Sequence, residues 1–165
     1  MSDTMKNLAD AFAGESQANR SYLAFAKAAE DEGLAEVAKR FRVAAASETV
    51  HALNHLKVMG GIKDTAANLV AAMGGENHEH TSMYPGFIEQ AKAEGNEDAK
   101  FSFWAANEAE KVHEKMFALA ADKMADLPES TFYVCEVCGM TYENDAPDAC
   151  VVCSAPKSQI PEFVA

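Results

Sequence analysis

The chain has 165 residues, 48% of them apolar, enough to bury a core in one or two domains. A formal charge of −12 at pH 7 argues against nucleic acid and against an anionic membrane surface, both of which call for clustered Lys and Arg. Met1 to Asn7 is polar without an apolar h-region and no run approaches the length of a membrane span, so the sequence reads as a soluble, cytoplasmic protein.

Residues 3 to 126 are rich in Ala, Glu, Lys, Leu and Met and nearly free of proline, the composition of long helices. The first predicted helix runs from Asp3 to Asp31 and ends near Gly33, with an inward stripe of Leu8, Phe12, Glu15, Ala18, Tyr22, Ala26 and Ala29 at spacings of three and four. The second runs from Leu34 to Met59, aligning Leu34, Val37, Phe41, Ala45, Glu48, His51, Ala52 and His55 before Gly60 and Gly61 stop it. Asp64 or Thr65 is an N-cap for a third stretch carrying Leu69, Met73, Glu76, His80, Met83 and Phe87, in which Pro85 should produce a kink or a boundary. The fourth runs from Glu97 to Ala125, with Phe103, Ala106, Glu110, His113, Phe117, Ala120 and Met124 on one side, and Leu127–Pro128 end the helical part. From Thr131 the chain changes to short aromatic and β-branched pieces around cysteines, so the domains are read as 1–128 and 129–165.

Two copies of Glu-x-x-His stand out, Glu48 to His51 and Glu110 to His113. On a helix, residues i and i+3 share a face, so each copy aims a carboxylate and an imidazole at one point. Each is preceded by another stripe glutamate at nearly the same distance, Glu15 by 33 residues and Glu76 by 34, so one half of the helical region looks like a copy of the other. Buried carboxylates without partners cost at least several kcal/mol and otherwise take up protons, whereas divalent or trivalent cations resolve the conflict. Two Glu-x-x-His helices plus a glutamate from each of two others match the ligand set of ferritin-like di-iron and di-manganese bundles. A single copy would normally be a solvated glutamate near an unrelated histidine. Two copies on apolar stripes, each with its upstream glutamate, reverse that weighting. His55, His78 and His80 read instead as hydrogen-bonded core or surface histidines.

All four cysteines follow residue 134, as Cys135-x-x-Cys138 and Cys150-x-x-Cys153 with eleven residues between the pairs. In a segment too small for a core of its own, this spacing reads as a tetrathiolate metal site that contributes much of the folding free energy. Spacing does not choose between iron, a one-electron carrier, and zinc, a structural ion.

The segments AFAGESQANR (Ala11 to Arg20), ETVH (Glu48 to His51), GENHEHTSMYP (Gly75 to Pro85), EKVHEK (Glu110 to Lys115) and YVCEVCG from Tyr133, in this order, closely resemble rubrerythrin. The resemblance implies a ferritin-like four-helix bundle followed by a rubredoxin-like module. It also implies a non-haem di-iron peroxidase that reduces hydrogen peroxide to water, with electrons relayed through an iron tetrathiolate. On this resemblance Glu48 and Glu110 are bridging carboxylates, Glu15 is a terminal ligand of one iron, and Glu76 with His113 completes the other. Glu79 matches the family's extra glutamate, which the first iron exchanges for His51 on reduction. Tyr22 and Tyr84 fall where the family has tyrosines hydrogen-bonded to ligand carboxylates.

Two departures stand out. The second cysteine pair reads Cys150, Val151, Val152, Cys153, Ser154, where rubredoxins usually have proline after the first cysteine and often glycine after the second. The link Gly60 to Asp64 spans at most roughly 18 Å, while a ferritin-like crossover runs the length of the bundle, about 35 Å. A helix-swapped homodimer is therefore expected, in which helices one and two pair with helices three and four of a second copy; an up-down-up-down monomer is the other solution. The expected electron donor is an NAD(P)H-dependent reductase or a separate rubredoxin. The competing functions are ferritin-like iron oxidation and storage, and a zinc-bound structural protein.

Overall fold

The computed structural model describes residues 2–164. Among these the helices fall close to where periodicity puts them: α1 Asp3–Asp31, α2 Ala35–Val58, α3 Thr65–His78, α4 Tyr84–Glu94 and α5 Glu97–Lys123. Asp64 caps α3 by accepting from the Ala67 N–H at 2.8 Å, as its side chain predicts. By packing, the chain divides into two compact units, one ending at Lys63 and the other beginning at Asp64.

The first unit is a helical hairpin of α1 on α2. The chain reverses at Gly33, whose φ of 76° suits a residue without Cβ, and the Leu34 N–H closes the end of α1 on the Ala29 carbonyl. Small residues bring the rods together: Ala26, Ala29 and Ala38 are buried with Phe41 against them. One polar clamp fixes their register. Asn19, buried, donates from Nδ2 to the Ala45 carbonyl at 2.7 Å and to Thr49 Oγ1 at 2.8 Å, next to Glu48.

The second unit packs α3 and α4 on α5 and continues into the cysteine module. Pro85 marks a boundary, as expected, and not the interior of a regular helix. The backbone widens into a π-helical segment, Glu79–Met83, joined without a break to α4, where Pro85 lies in the first turn and its missing N–H is not needed. The Tyr84 N–H reaches back to the Glu79 carbonyl, five residues away, which is the π-type bond.

This segment explains the unequal spacing of the repeat. Tyr22, Phe25 and Phe41 recur 62 residues later as Tyr84, Phe87 and Phe103, as do Glu48 and His51, whereas Glu15 recurs after 61 as Glu76. The extra residue therefore lies between Glu76 and Tyr84, where the π segment sits. The two aromatic triads have nearly the same spacing, with centroid distances of 6.3, 6.2 and 5.6 Å in the first unit and 6.3, 6.4 and 5.5 Å in the second, though the Tyr–Phe ring planes differ, at 47° against 88°.

The module is an antiparallel pair, β1 Phe132–Val134 on β2 Thr141–Glu143, with Tyr133 opposite Tyr142. Its small core is Cys135, Ala146, Cys150, Ala155 and Ile160.

Asn19→Leu should lower stability by about 1–3 kcal/mol, the loss of two buried hydrogen bonds, and loosen α1 against α2 at the level of Glu48. Denaturant unfolding checks it; an unchanged midpoint would show the clamp to be redundant.

Candidate metal centres

Three groups of side chains bring donor atoms within 4.8 Å of one another: Glu15, Glu48 and His51 in the first unit, and Glu76, Glu110 and His113 together with the four cysteines in the second. Helical spacing makes the carboxylate sets. His51 Nδ1 lies 2.8 Å from Glu48 Oε2 and 4.0 Å from Glu15 Oε1; His113 Nδ1 lies 2.6 Å from Glu110 Oε2 and 3.6 Å from Glu76 Oε2. In both sets the same ring nitrogen faces the carboxylates.

The sets differ in their surroundings. The His51 side chain is 50% exposed and Glu15 32%, more open than their place on an inward stripe predicts, because a two-helix hairpin offers only a shallow seam. His113, Glu76 and Glu110 are 29%, 20% and 15% exposed. His113 is also held from behind: its Nε2 lies 3.0 Å from Oγ1 of Thr141, a buried residue of β2. With a metal ion on Nδ1, Nε2 would carry the proton and donate to Thr141, which would fix the tautomer and the ring plane.

The donor set fits a cation. Glu76 Oε2 is sealed from solvent with no hydrogen-bond partner, an arrangement that native interiors rarely tolerate unless another group completes it. Burial first, then the hydrogen bond and charge of Glu110, raise the Glu76 carboxyl above its usual range; a metal ion at this point would favour the charged form instead. Tyr84 is raised as well, by burial and then by the charges of Glu110, Glu79 and Glu76, so its hydroxyl stays protonated among the three carboxylates. Glu79 thus lies within the field of the second set, at the start of the π segment, though outside the three-residue cluster. Tyr22, 62 residues before Tyr84, takes the equivalent position in the first triad.

The cysteine sulfurs approach as a tetrahedral site requires. Cys135 and Cys153 Sγ are 3.6 Å apart and Cys138 and Cys150 Sγ 3.5 Å, near the edge of about 3.8 Å set by metal–sulfur bonds of about 2.3 Å. The two loops are near copies. Cys135 N–H donates to the Met140 carbonyl and Gly139 N–H to Cys135; Cys150 N–H donates to Ala155 and Ser154 N–H to Cys150. Ser154 occupies the left-handed position that Gly139 fills in the first loop, with φ of 61° against 79°, a modest strain where glycine is usual. Burial pushes the Cys150 thiol up, but the Cys153 amide, the Tyr142 hydroxyl and the Val152 amide outweigh it and bring it to about 6, so one sulfur is prepared as a thiolate. Burial, and then the bond to Cys150, lift Tyr142 to about 12.

His80, treated in the sequence as a hydrogen-bonded histidine, lies 2.6 Å from Glu114 Oε2, and Asn77 donates to the other oxygen at 2.9 Å. Those bonds lower the Glu114 carboxyl below its usual range. Glu114, Thr141 and Asn19 escaped the sequence reading. Thr141 carried no signal, since its partner is 28 residues away; Glu114 does follow His113 directly, but an adjacent acidic residue is unremarkable in a helix.

Two family models match the chain: Rubrerythrin over residues 6–121, and Rubrerythrin, rubredoxin-like domain, over residues 133–160. Nigerythrin of Nitratidesulfovibrio vulgaris is 37% identical, over 93% of this chain and 83% of that protein. Rubrerythrin of the same organism is 35% identical, over 95% and 92%. The solved structure of nigerythrin in its partially reduced state superposes with a TM-score of 0.58 at 29% identity, covering 99% of this chain and 88% of that one. The structure of nigerythrin in its fully reduced, all-ferrous state gives the same score. With carboxylate–histidine sets for a dinuclear iron site and a tetrathiolate module for a mononuclear iron, the chain belongs to the rubrerythrin family.

Proposed function

We propose that the protein is a peroxidase that reduces hydrogen peroxide to water, fed by an NAD(P)H-dependent reductase or a rubredoxin. The observation that carries this reading is the contact of His113 with Thr141, because it joins the second carboxylate set to the tetrathiolate module, three residues beyond Cys138, by a single hydrogen bond. An iron store has no use for such a link, whereas a redox enzyme needs its electron carrier close to the reacting centre. When bound, the dinuclear iron supplies the two electrons that split the O–O bond, and the tetrathiolate iron replenishes them one at a time.

Glu48 and Glu110 are assigned as bridging carboxylates, Glu15 and Glu76 as terminal ligands, His113 as a fixed imidazole ligand, and Cys135, Cys138, Cys150 and Cys153 as the thiolates. Functionally, the division falls between residues 1–128 and 129–165. His51 and Glu79 would be the two alternative donors to the first iron. His51 suits that role because its ring is half-exposed and, among the described residues, has no counterpart to the Thr141 anchor. Glu79 suits it because it opens the π segment, where the Tyr84 N–H reaches back to its carbonyl and the hydrogen-bond ladder widens. Tyr84 holds a proton beside the carboxylates, Tyr22 is assigned the equivalent role in the first unit, and water formation consumes two protons.

A complete dinuclear site needs both carboxylate sets. We place the union across a helix-swapped homodimer, in which the first unit of one copy covers the second unit of the other. The exposure of Val37 (42%), Leu53 (52%) and Val50 (56%) leaves the hairpin with apolar surface that a second copy would cover.

Protein purified without oxygen should show a tetrathiolate band that bleaches on reduction and that stoichiometric peroxide restores. Thr141→Val should slow that reoxidation on the order of 10–100-fold with iron content unchanged; an unaltered rate removes the supporting observation. Glu79→Ala should slow peroxide turnover by a similar factor while both iron sites still load, and turnover equal to that of the parent would count against the exchange of His51 for Glu79. The swap has a genetic test. Co-refolding Glu48→Ala chains with Glu110→Ala chains should restore roughly a quarter of the activity, since random pairing rebuilds one intact site in half the dimers; no recovery means that each site is built from one chain.

A further inference from the structure

Of the four sulfurs of the tetrathiolate, Cys150 Sγ has a partner that, among the described residues, its counterpart in the other loop lacks: the Tyr142 hydroxyl donates to it at 3.2 Å. Tyr142 is in turn held by the Val151 N–H, which donates to Tyr142 Oη at 3.1 Å. A phenol has one proton. Because Oη already accepts from Val151, its proton is directed at the sulfur, and the two bonds form a relay that starts at the loop backbone and ends on the ligand atom.

The relay depends on a residue choice visible in the sequence. Position 151 follows the first cysteine of the second loop, where rubredoxins usually have proline and hence no N–H. Here it is valine, whose residue is 71% exposed, so its side chain contributes little packing and the position's main contribution is its amide. In the first loop the equivalent amide, Glu136 N–H, goes to the Gln159 carbonyl at 2.9 Å, and no hydroxyl reaches Cys135 among the described residues. Otherwise matched loops therefore differ at one sulfur.

Resting on the reading that this module holds iron, we propose that Tyr142, aligned by the Val151 amide, is a positioning residue that raises the reduction potential of the tetrathiolate centre. The couple is a single electron, ferric to ferrous, taken from the reductase or rubredoxin and passed on to the peroxide-reducing site. No proton moves with it; Tyr142 keeps its hydrogen in both states. The reduced centre carries one more negative charge, spread over the sulfurs, so a hydrogen bond to Cys150 stabilises it more than the oxidised one and shifts the equilibrium toward reduction. The effect is to let the module charge from a weaker donor and stay charged until oxidant arrives.

The test is a potentiometric titration of the full-length, iron-loaded protein, following the tetrathiolate absorption with dithionite as reductant. Tyr142→Phe removes only the hydroxyl. At a fixed ambient potential its ferrous-to-ferric ratio should fall about tenfold, which is 59 mV more negative for a one-electron couple. Val151→Pro, which restores the usual residue and removes the amide while keeping the hydroxyl, should shift the potential in the same direction by less. If the Phe variant loses its iron, the proline variant decides the matter by itself. A potential unchanged in an iron-loaded variant overturns the assignment of Tyr142 and leaves the iron reading intact. A parent protein with no reducible tetrathiolate band overturns the iron reading, and this assignment with it.

Discussion

The sealed oxygen of Glu76 is the constraint from which the rest of the site follows. It lies 3.6 Å from the imidazole of His113, has no hydrogen-bond donor, and belongs to a group whose charge is opposed both by burial and by Glu110. Left alone, such an oxygen would protonate or draw in water. A cation removes the conflict at once, turning the like charges of Glu76 and Glu110 from a cost into the binding energy for the ion. The apolar stripes on α3 and α5 keep water out, and the Thr141 bond keeps His113 from turning away.

The same ligand pattern, used twice, carries different degrees of order. The first unit holds its set on a two-helix hairpin zipped by alanines and by Asn19, and the resulting seam is shallow. The second unit adds the cysteine module behind α5 and a widened helical turn in front of the carboxylates. One histidine is consequently pinned on both nitrogens and the other on one. The exchange proposed for His51 and Glu79 would draw on such inequality, since among the described residues His51 lacks the second hydrogen bond that holds His113.

Much of this was legible in the sequence. Stripes at spacings of three and four located all the long helices, because an apolar face must be buried whatever the loops do; the Asp64 cap and the cysteine loops were equally readable, since local chemistry dictates them. The spacing mismatch of 33 against 34 was also visible, but its meaning was not. A one-residue insertion in a helix can be absorbed at any turn, and only the backbone reveals that Pro85 and Tyr84 place it at Glu79. Contacts between distant elements, such as His113 with Thr141 and His80 with Glu114, were illegible because residue type alone does not specify which of many hydroxyls or carboxylates a ring nitrogen will meet.

The departures in the second cysteine loop show how a sequence oddity becomes intelligible only with neighbours in view. Ser154 in a left-handed conformation carries strain that glycine would avoid, yet its N–H still closes the loop on the Cys150 carbonyl as Gly139 does on Cys135, so the loop geometry is kept. Val151 in place of proline gives up conformational restriction in the unfolded chain and gains an amide donor. Tyr142, on the strand opposite Tyr133, supplies the acceptor and passes a hydrogen bond on to the metal-binding sulfur. Positions 142 and 151 therefore form one unit, joined by the Val151 amide and the Tyr142 hydroxyl.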